Sequence, residues 1–361
     1  MTPMKLLNPG PVTLTARVRA ALAAPDVCHR EPEFAALTRG VIAKLGRVYP
    51  EAEATHTAVL LTGSGTGAVE AMLGSLTPRD GRTLVVSNGV YGERAAAMLA
   101  AQGKAFDIVK GAWTEGLDLA AARSRLAAGG YTHVFSVHHE TTTGRLNDVA
   151  SLGAICKQRG VPLLLDAVSS FGGEAIAFDA WNLEACAATA NKCLHGVPGV
   201  AFVLARRGVF SARPSGATSV YLDLFRYEKE QRAGFSPFTQ ATHVMHALDA
   251  ALSELSDAGG VSARSAHYRA LSDAVRAGLG ALGVEPLLDP ATHSATLTSY
   301  KLPPGLAYAT LHDTLKEQGF VIYAGQGDFS GSIFRIAVMG DLARADADRL
   351  LGCVRRILGA G

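Results

Sequence analysis

CAATANKCLHGVPGVAF, residues 186–202, places one lysine between two short apolar segments. Residues 185–189 and 200–204 are rich in small and branched apolar side chains, as in strands that are buried on both faces of a sheet. The GVPG sequence between them predicts a tight connection. Most lysines point into water, but burial of Lys192 without an acidic partner would favour its neutral, nucleophilic form. The rest of the chain decides between these two interpretations.

The composition of the 361-residue chain is that of a well-packed globular protein, with 48% hydrophobic and 18% charged residues. A formal net charge of +2 without long basic runs argues against nucleic acid or an anionic membrane as the main partner. No stretch approaches ~20 consecutive apolar residues, so no transmembrane helix is predicted, and the Pro-Gly-Pro at 9–11 interrupts any signal peptide. The five cysteines form no C-x-x-C pair, which is typical of reduced thiols. We therefore expect a cytoplasmic protein.

Apolar strand segments alternate with amphipathic helical segments through the first two-thirds of the chain. This alternation predicts an α/β fold with a mostly parallel sheet that helices cover on both faces. The seven predicted strands lie at residues 58–62, 83–87, 106–109, 133–138, 162–166, 185–189 and 200–204. The helices between them are predicted at residues 66–76, 93–102, 119–127 and 149–159.

A long helical pattern that ends at two glycines, residues 259 and 260, indicates a domain boundary. We therefore predict an N-terminal arm at 1–20, a large α/β domain at 21–258 and a small α+β domain at 259–361. The first forty or so residues are expected to form an arm and a helix that pack on the small domain or on a partner subunit. The elements predicted for the small domain are helices at 262–282, 308–318 and 344–358 and strands at 293–300, 320–323 and 333–338.

The first predicted strand leads into a glycine-rich turn, GSGTG at residues 63–67, and then into a helix. Free backbone N–H groups and the helix dipole at such a turn favour a bound anion, and Ser64 and Thr66 add hydroxyl donors. The turn lacks the Lys-Ser/Thr pair of a P-loop. The next strand does not end in the acidic residue of a dinucleotide-binding fold. The turn is therefore interpreted as a phosphate site of another type, although similar turns also occur without a ligand.

Asp166 ends an apolar strand, so its carboxylate lies at the edge of the sheet where α/β proteins bind ligands. It could cap the following segment or contact a cationic ligand. Together with Lys192 and the glycine-rich turn, it forms a set that suits pyridoxal 5′-phosphate (PLP). PLP needs an amine for its aldehyde, a carboxylate for its pyridine nitrogen and an anion site for its phosphate. Covalent attachment would also remove much of the cost of burying Lys192.

Seven motifs, in chain order, resemble those of the class-V aminotransferases of fold type I: NPGPV, GSGTGAVEA, SNGVYGER, HHETTTG, LLLDAVSSFGG, ANKCLHGVPG and FRIAVMGD. Their spacing agrees over nearly the whole chain. The resemblance implies a fold type I PLP-dependent aminotransferase with a ping-pong reaction. DAVSSFGG, VYLDLF and LKEQGFVIY are similar to the branch that moves the amino group of 2-aminoethylphosphonate to pyruvate, which yields phosphonoacetaldehyde and alanine.

The resemblance also implies roles for individual residues. Lys192 would bind the cofactor covalently and shuttle a proton, and Asp166 would pair with the pyridine nitrogen. Tyr91 would stack on the ring, and Thr142 would lie near the ring's 3-hydroxyl group. The residues implied near the phosphate are Ser64, Gly65, Thr66 and Asn191.

Further implied contacts involve substrate and a second subunit. Thr242 matches a threonine that reaches the phosphate of the neighbouring subunit, which implies a homodimer with shared active sites. Arg335 matches the arginine that binds the substrate carboxylate through two parallel hydrogen bonds. His29 and Arg30, in the segment VCHREPEF, are further candidates for substrate binding. Arg94 and Arg213 are other possible sources of positive charge for a phosphonate.

Several alternatives remain open at this point. The donor could be alanine or serine with glyoxylate or pyruvate as acceptor, or a related aminophosphonate or aminosulfonate. PLP lyases and desulfurases share the fold, but neither Cys193 nor Cys353 suits the mobile-loop cysteine of a desulfurase. A binding protein without activity would not need Lys192, Asp166 and Arg335 together. The paired histidines lack a completing carboxylate or cysteine, so no metal site is predicted.

Overall fold

A computed structural model describes residues 4–359. The first three residues of the predicted arm and the last two of the predicted small domain lie outside the described residues. The strands are β1 (Lys5–Leu6), β2 (His56–Gly63), β3 (Arg82–Ser87), β4 (Ala105–Lys110), β5 (His133–Val137), β6 (His139–Glu140), β7 (Arg145–Leu146), β8 (Leu163–Asp166), β9 (Leu183–Thr189), β10 (Gly199–Arg206), β11 (Leu297–Lys301), β12 (Phe320–Val321), β13 (Tyr323–Ala324) and β14 (Ile333–Ala337). The helices are α1 (Ala16–Ala21), α2 (Pro32–Arg47), α3 (Pro50–Glu53), α4 (Gly65–Leu76), α5 (Val90–Ala101), α6 (Leu119–Ala128), α7 (Val149–Arg159), α8 (Val209–Ala212), α9 (Leu224–Gln231), α10 (Thr242–Asp257), α11 (Gly260–Gly280), α12 (Tyr308–Glu317) and α13 (Arg344–Ile357).

The largest sheet has seven strands in the order β2-β10-β9-β8-β5-β3-β4. Six strands run in one direction, and β10 is antiparallel to both of its neighbours. The seven predicted strands are the strands of this sheet, with ends that differ by no more than two residues. The predicted α/β fold with a mostly parallel sheet is therefore confirmed.

Both faces of this sheet are buried, as the apolar runs of its strands require. Leu84 and Val86 of β3 pack into one apolar cluster with α2, α6, α7 and α10, whereas Val85 packs into a second cluster with α4, α5 and α9. Successive side chains of a strand point to opposite faces. A strand buried on both faces must then be apolar at nearly every position, which is why these segments show no polar alternation.

A separate three-stranded antiparallel sheet, β11-β14-β13, packs with α11, α12 and α13 around a third apolar cluster. Leu7 and Val12 of the N-terminal segment belong to this cluster, and β1 pairs with β12. Cys193, which follows Lys192, is also one of its members. The lysine turn of the large sheet is thus packed against the C-terminal part of the chain.

No helix within residues 4–359 combines the length and apolar character needed to cross a membrane. In the same part of the chain, the His, Cys, Asp and Glu side chains form no group of three or more that could hold a metal ion.

Candidate active site

A cavity of about 210 Å³ lies at the carboxyl edge of the parallel strands. Seven residues of the predicted cofactor site line it, and they come from four separate chain segments: Ser64, Gly65, Thr66, Tyr91, Asp166, Asn191 and Lys192. The other lining residues are Val69, Arg94, Met98, His139, Val168, Ser169 and Thr189. The structure therefore brings together most of the predicted cofactor site.

Lys192 lies in the turn that joins β9 to β10. The turn is fixed by hydrogen bonds from Ala190 N to Val200 O (3.0 Å) and from Gly196 N to Ala190 O (2.8 Å). The Nζ atom of Lys192 donates to the carbonyl oxygen of Pro9, and no carboxylate among residues 4–359 forms an ion pair with it. Burial lowers the pKa of Lys192 to about 8, although the nearby Cys193 and Asp166 oppose this shift. The interpretation of Lys192 as a solvated surface lysine is wrong.

Asp166 is the last residue of β8 and is 7% exposed. Its Oδ1 atom accepts a hydrogen bond from Val168 N (2.9 Å), so the carboxylate caps the turn that follows the strand. No described residue donates to its Oδ2 atom, which leaves that oxygen available to a ligand. Burial raises the pKa of Asp166 to about 6, although the Val168 N–H and the charge of Lys192 oppose this shift. A cationic group bound in the cavity would stabilise the ionised carboxylate.

The glycine-rich turn forms the N-terminus of α4, with Ser64 as its N-cap residue. The Ser64 Oγ atom accepts from Gly67 N at 3.4 Å. The backbone N–H groups of Gly65 and Thr66 have no acceptor among the described residues, as expected for the first turn of a helix. A side chain at Gly65 would come within 2.7 Å of Val168. Glycine is needed there because α4 approaches the β8 turn closely, and the first turn of α4 lines the cavity.

Asn191 precedes the lysine, and its Oδ1 atom accepts from Thr189 Oγ1 at 2.7 Å. With this orientation of the amide, the NH₂ group of Asn191 is a donor for the cavity. Across the cavity, the Arg94 guanidinium lies 4.8 Å from the centroid of the Tyr91 ring. No ion pair joins Arg94 to a described acidic residue, so its charge is available at the cavity.

Thr142 and Arg335 lie beside the cavity rather than in its lining. Thr142 Oγ1 donates to Glu140 Oε1 at 2.7 Å. Arg335, 1% exposed, donates through Nε to Ala324 O (2.9 Å) and through Nη1 to Thr141 O (2.9 Å). Its Nη2 atom has no acceptor within residues 4–359. That edge of the guanidinium can therefore serve a ligand.

Three predicted residues lie away from the cavity within this chain. His29 and Arg30 are in a turn between α1 and α2, which the hydrogen bond from Glu31 N to Cys28 O (3.1 Å) closes, and Arg30 is exposed. Thr242 is the first residue of α10, and its hydroxyl group lies 3.5 Å from Nδ1 of His243. None of the three contacts Lys192 or Asp166 in the described structure.

Arg213, one of the candidate sources of positive charge for a phosphonate, does not lie at the cavity. Its guanidinium forms an ion pair with Glu184 and donates to Leu76 O (2.8 Å). Glu184 and its other partner, His133, belong to the first residues of β9 and β5. Arg213 therefore lies at the amino edge of the parallel strands, opposite the cavity.

Sequence reasoning also missed His139 as a residue of this site. Burial lowers the pKa of His139 to about 3, so its imidazole is neutral, and Nδ1 donates to Ser169 O at 3.1 Å. Nε2 is buried and has no partner among the described residues. The only signal in the sequence is the pair His138-His139, which by itself predicts neither a metal site nor a residue of the cofactor site.

A family model described as Aminotransferase class-V matches residues 42–344. A 2-aminoethylphosphonate–pyruvate transaminase of Syntrophobacter fumaroxidans is 38% identical over 354 residues, which cover 97% of this chain and 95% of the relative. A relative of the same name from Burkholderia thailandensis is 39% identical over 359 residues, with 98% and 96% coverage. A solved structure of a subgroup IV aspartate aminotransferase from Thermus thermophilus has a TM-score of 0.89, 27% identity and 99% coverage of both chains. The chain belongs to the class-V aminotransferase family and has the fold type I architecture of PLP-dependent transaminases.

Proposed function

We propose that this protein is a PLP-dependent aminotransferase that moves the amino group of 2-aminoethylphosphonate to pyruvate. The observation that carries the proposal is Lys192, a low-pKa amine that shares one cavity with the Asp166 carboxylate and the free N–H groups of α4. The two relatives at 38% and 39% identity support the choice of donor and acceptor.

The residues present fit PLP. Gly65, Thr66, Ser64 and Asn191 offer donors for a phosphate, and the free Oδ2 atom of Asp166 suits a protonated pyridine nitrogen. Tyr91 provides an aromatic face for the ring. We further propose that Thr242 of a second subunit completes the phosphate site in a homodimer.

When bound, PLP supplies an electron sink that allows a proton to leave the amine-bearing carbon of the donor. The Nζ atom of Lys192 would accept this proton and later give it up again, because its lowered pKa makes both the amine and ammonium forms accessible. Asp166 holds the proton on the pyridine nitrogen through its negative charge.

The anionic ends of the two substrates require positive charge on the chain. Arg335 offers the free edge of its guanidinium to the pyruvate carboxylate or to the phosphonate. Arg94 adds a second cation at the cavity, which suits a dianionic phosphonate better than a carboxylate alone. His29 and Arg30 remain proposals that depend on the second subunit.

The test is a panel of donors with the purified, PLP-loaded protein. 2-Aminoethylphosphonate, taurine, alanine and serine are each offered, and the loss of absorbance at about 420 nm reports the first half-reaction. Pyruvate and glyoxylate are then compared as acceptors. The expected result is the highest kcat/KM for 2-aminoethylphosphonate with pyruvate. A preference for alanine or serine with glyoxylate would overturn the choice of donor but leave transamination in place.

A further inference from the structure

Glu140, the second residue of β6, is fully buried although it carries a carboxyl group. Carboxylates are rarely buried unless they are paired or hydrogen-bonded, since removal from water is costly. Glu140 is not among the residues predicted from the sequence, and the proposed reaction does not use it. Its burial beside the cavity therefore needs an explanation.

The two oxygen atoms of Glu140 bind two different elements. Oε1 accepts from Thr142 Oγ1 (2.7 Å) and from Thr142 N (3.1 Å). Oε2 accepts from the backbone N–H of Tyr91 at the start of α5 (3.2 Å). One carboxylate thus joins the turn after β6 to the helix that carries the aromatic ring of the cavity.

A third connection passes through the residue between Glu140 and Thr142. The carbonyl oxygen of Thr141 accepts from Arg335 Nη1 at 2.9 Å. Residues 140–142 therefore connect Tyr91 with Arg335, two residues of the proposed function that lie far apart in sequence. Glu140 is at the centre of this arrangement.

The contact also fixes the direction of the Thr142 hydroxyl group. A hydroxyl has one proton to donate and two lone pairs. Because Thr142 donates its proton to Glu140, its oxygen can only accept from a ligand. A neutral carboxyl or amide at position 140 could instead donate to Thr142, which would reverse this polarity.

The carboxyl group of Glu140 fills the space that a side chain at Gly89 would occupy. A side-chain carbon at Gly89 would overlap the carboxyl group of Glu140. The backbone of Gly89 is extended (φ 178°, ψ −176°), a conformation open to any residue. Glycine is therefore needed at this position for the room it leaves to Glu140 rather than for its backbone freedom.

We propose that Glu140 is a positioning residue whose ionised carboxylate holds the Tyr91 backbone and sets Thr142 as a hydrogen-bond acceptor for the cofactor. The proposal rests on the proposed function, since the cofactor is PLP. The charged and titratable groups that face Glu140 are Asp166 from β8, Arg335 from β14, Tyr91 from α5 and the neutral His139 beside it.

The arrangement makes cofactor binding depend on pH. Burial raises the pKa of Glu140 to about 7, although the hydrogen bonds from Thr142 and the Tyr91 N–H oppose this shift. Protonation below that value would turn the acceptor at position 140 into a donor. The affinity of the apoprotein for PLP should therefore fall as Glu140 becomes neutral.

The test compares E140Q with E174Q, a matched control. Glu174 is also a buried carboxyl that accepts from a hydroxyl, Ser294 Oγ (2.6 Å), and from a backbone N–H, Ala295 (2.8 Å), but it does not contact Tyr91 or Thr142. The Kd of each apoprotein for PLP is measured from pH 6 to pH 9, and the unfolding temperature of each apoprotein is recorded.

At pH 8, E140Q should bind PLP roughly tenfold more weakly than the wild type, the effect of losing about one hydrogen bond to a charged group. The ratio of the two Kd values should fall toward one at pH 6, where Glu140 of the wild type is protonated. E174Q should keep the wild-type Kd at every pH, whatever its unfolding temperature. A wild-type Kd and pH profile in E140Q would overturn the proposal.

G89A provides a second variant if E140Q does not fold, because it displaces the carboxylate without removing it. It should also weaken PLP binding at pH 8, and an unchanged Kd in G89A would count against the proposal. A wild-type protein that binds no PLP would refute the proposed function and this inference together. Normal wild-type binding with an unaffected E140Q would refute the inference alone.

Discussion

The side chain of Lys192 packs directly against Gly10. A methyl group at Gly10 would lie 2.7 Å from Cδ and 2.8 Å from Cε of the lysine. Gly10 also has a φ of +128°, which side chains rarely adopt, and the preceding Pro9 accepts the hydrogen bond from Nζ. The N-terminal segment, which pairs with β12, therefore forms one wall of the lysine site.

The substitution G10A should displace Lys192 and strain the N-terminal segment. We expect the apoprotein to capture PLP at least about tenfold more slowly and to lose on the order of 1–3 kcal/mol of stability. The rate is followed by absorbance at about 420 nm, and stability by urea denaturation. G40A is the control, because a side chain at Gly40 of α2 would meet no atom within 4 Å. An unchanged capture rate in G10A would show that this wall does not restrict the lysine.

The pH dependence of PLP capture should follow Lys192. The neutral amine is the nucleophile, and burial lowers its pKa to about 8. The capture rate should therefore rise with pH and become constant above about pH 8, rather than near the ordinary lysine value of about 10.4. Stopped-flow absorbance measures this profile. K192A should capture no PLP and give no borohydride-labelled peptide; labelling at another lysine would contradict the assignment.

Replacement of Asp166 by asparagine should raise the stability of the apoprotein and lower its activity when PLP is bound. Burial raises the pKa of Asp166 to about 6, so the folded apoprotein binds a proton more tightly than the unfolded chain does. The stability contribution of Asp166 is then present below about pH 4 and is lost as pH rises through 6, at a cost of up to about 3 kcal/mol.

D166N should remove that cost. Its apoprotein should be more stable than the wild type at pH 8 and equal to it near pH 4, as measured by urea denaturation at both values. Turnover of the PLP-loaded variant should fall about 10²–10³-fold, because the negative charge opposite the pyridine nitrogen is lost. Equal stability of the two apoproteins at pH 8 would show that Asp166 is not destabilised by burial.

The strands of the large sheet could be predicted because each is a run of apolar residues bounded by turns. Lys192, Asp166 and the α4 turn could be predicted for the same reason, since all three follow the carboxyl ends of such strands. α9, LFRYEKEQ, was missed because it is short and strongly polar. Its buried residues, which include Leu224 and Tyr227, follow a helical spacing over only two turns.

Two errors arise from features that the sequence does not show: the direction of a strand and the contacts between distant side chains. Arg213 follows β10, and β10 is antiparallel, so residues beyond its end lie at the opposite edge of the sheet from the cavity. The sequence shows β10 as an apolar run but does not show its direction. Glu140 was missed because its partners, Tyr91 and Thr142, meet it only after the turn and α5 are folded.

The planar guanidinium of Arg335 should be needed for binding of the substrate carboxylate. R335K keeps the positive charge but replaces a planar fork of donors with a single ammonium group. A lysine could satisfy Ala324 O or Thr141 O only by giving up the geometry that a substrate carboxylate needs. KM for pyruvate should therefore rise by about tenfold or more, with a smaller change in kcat, in steady-state assays of the complete transamination. R213K is the matched control, since Arg213 also donates to a backbone carbonyl but lies at the opposite edge of the sheet. An equal rise of KM in both variants would indicate a general loss of structure, and an unchanged KM in R335K would remove Arg335 from the substrate site.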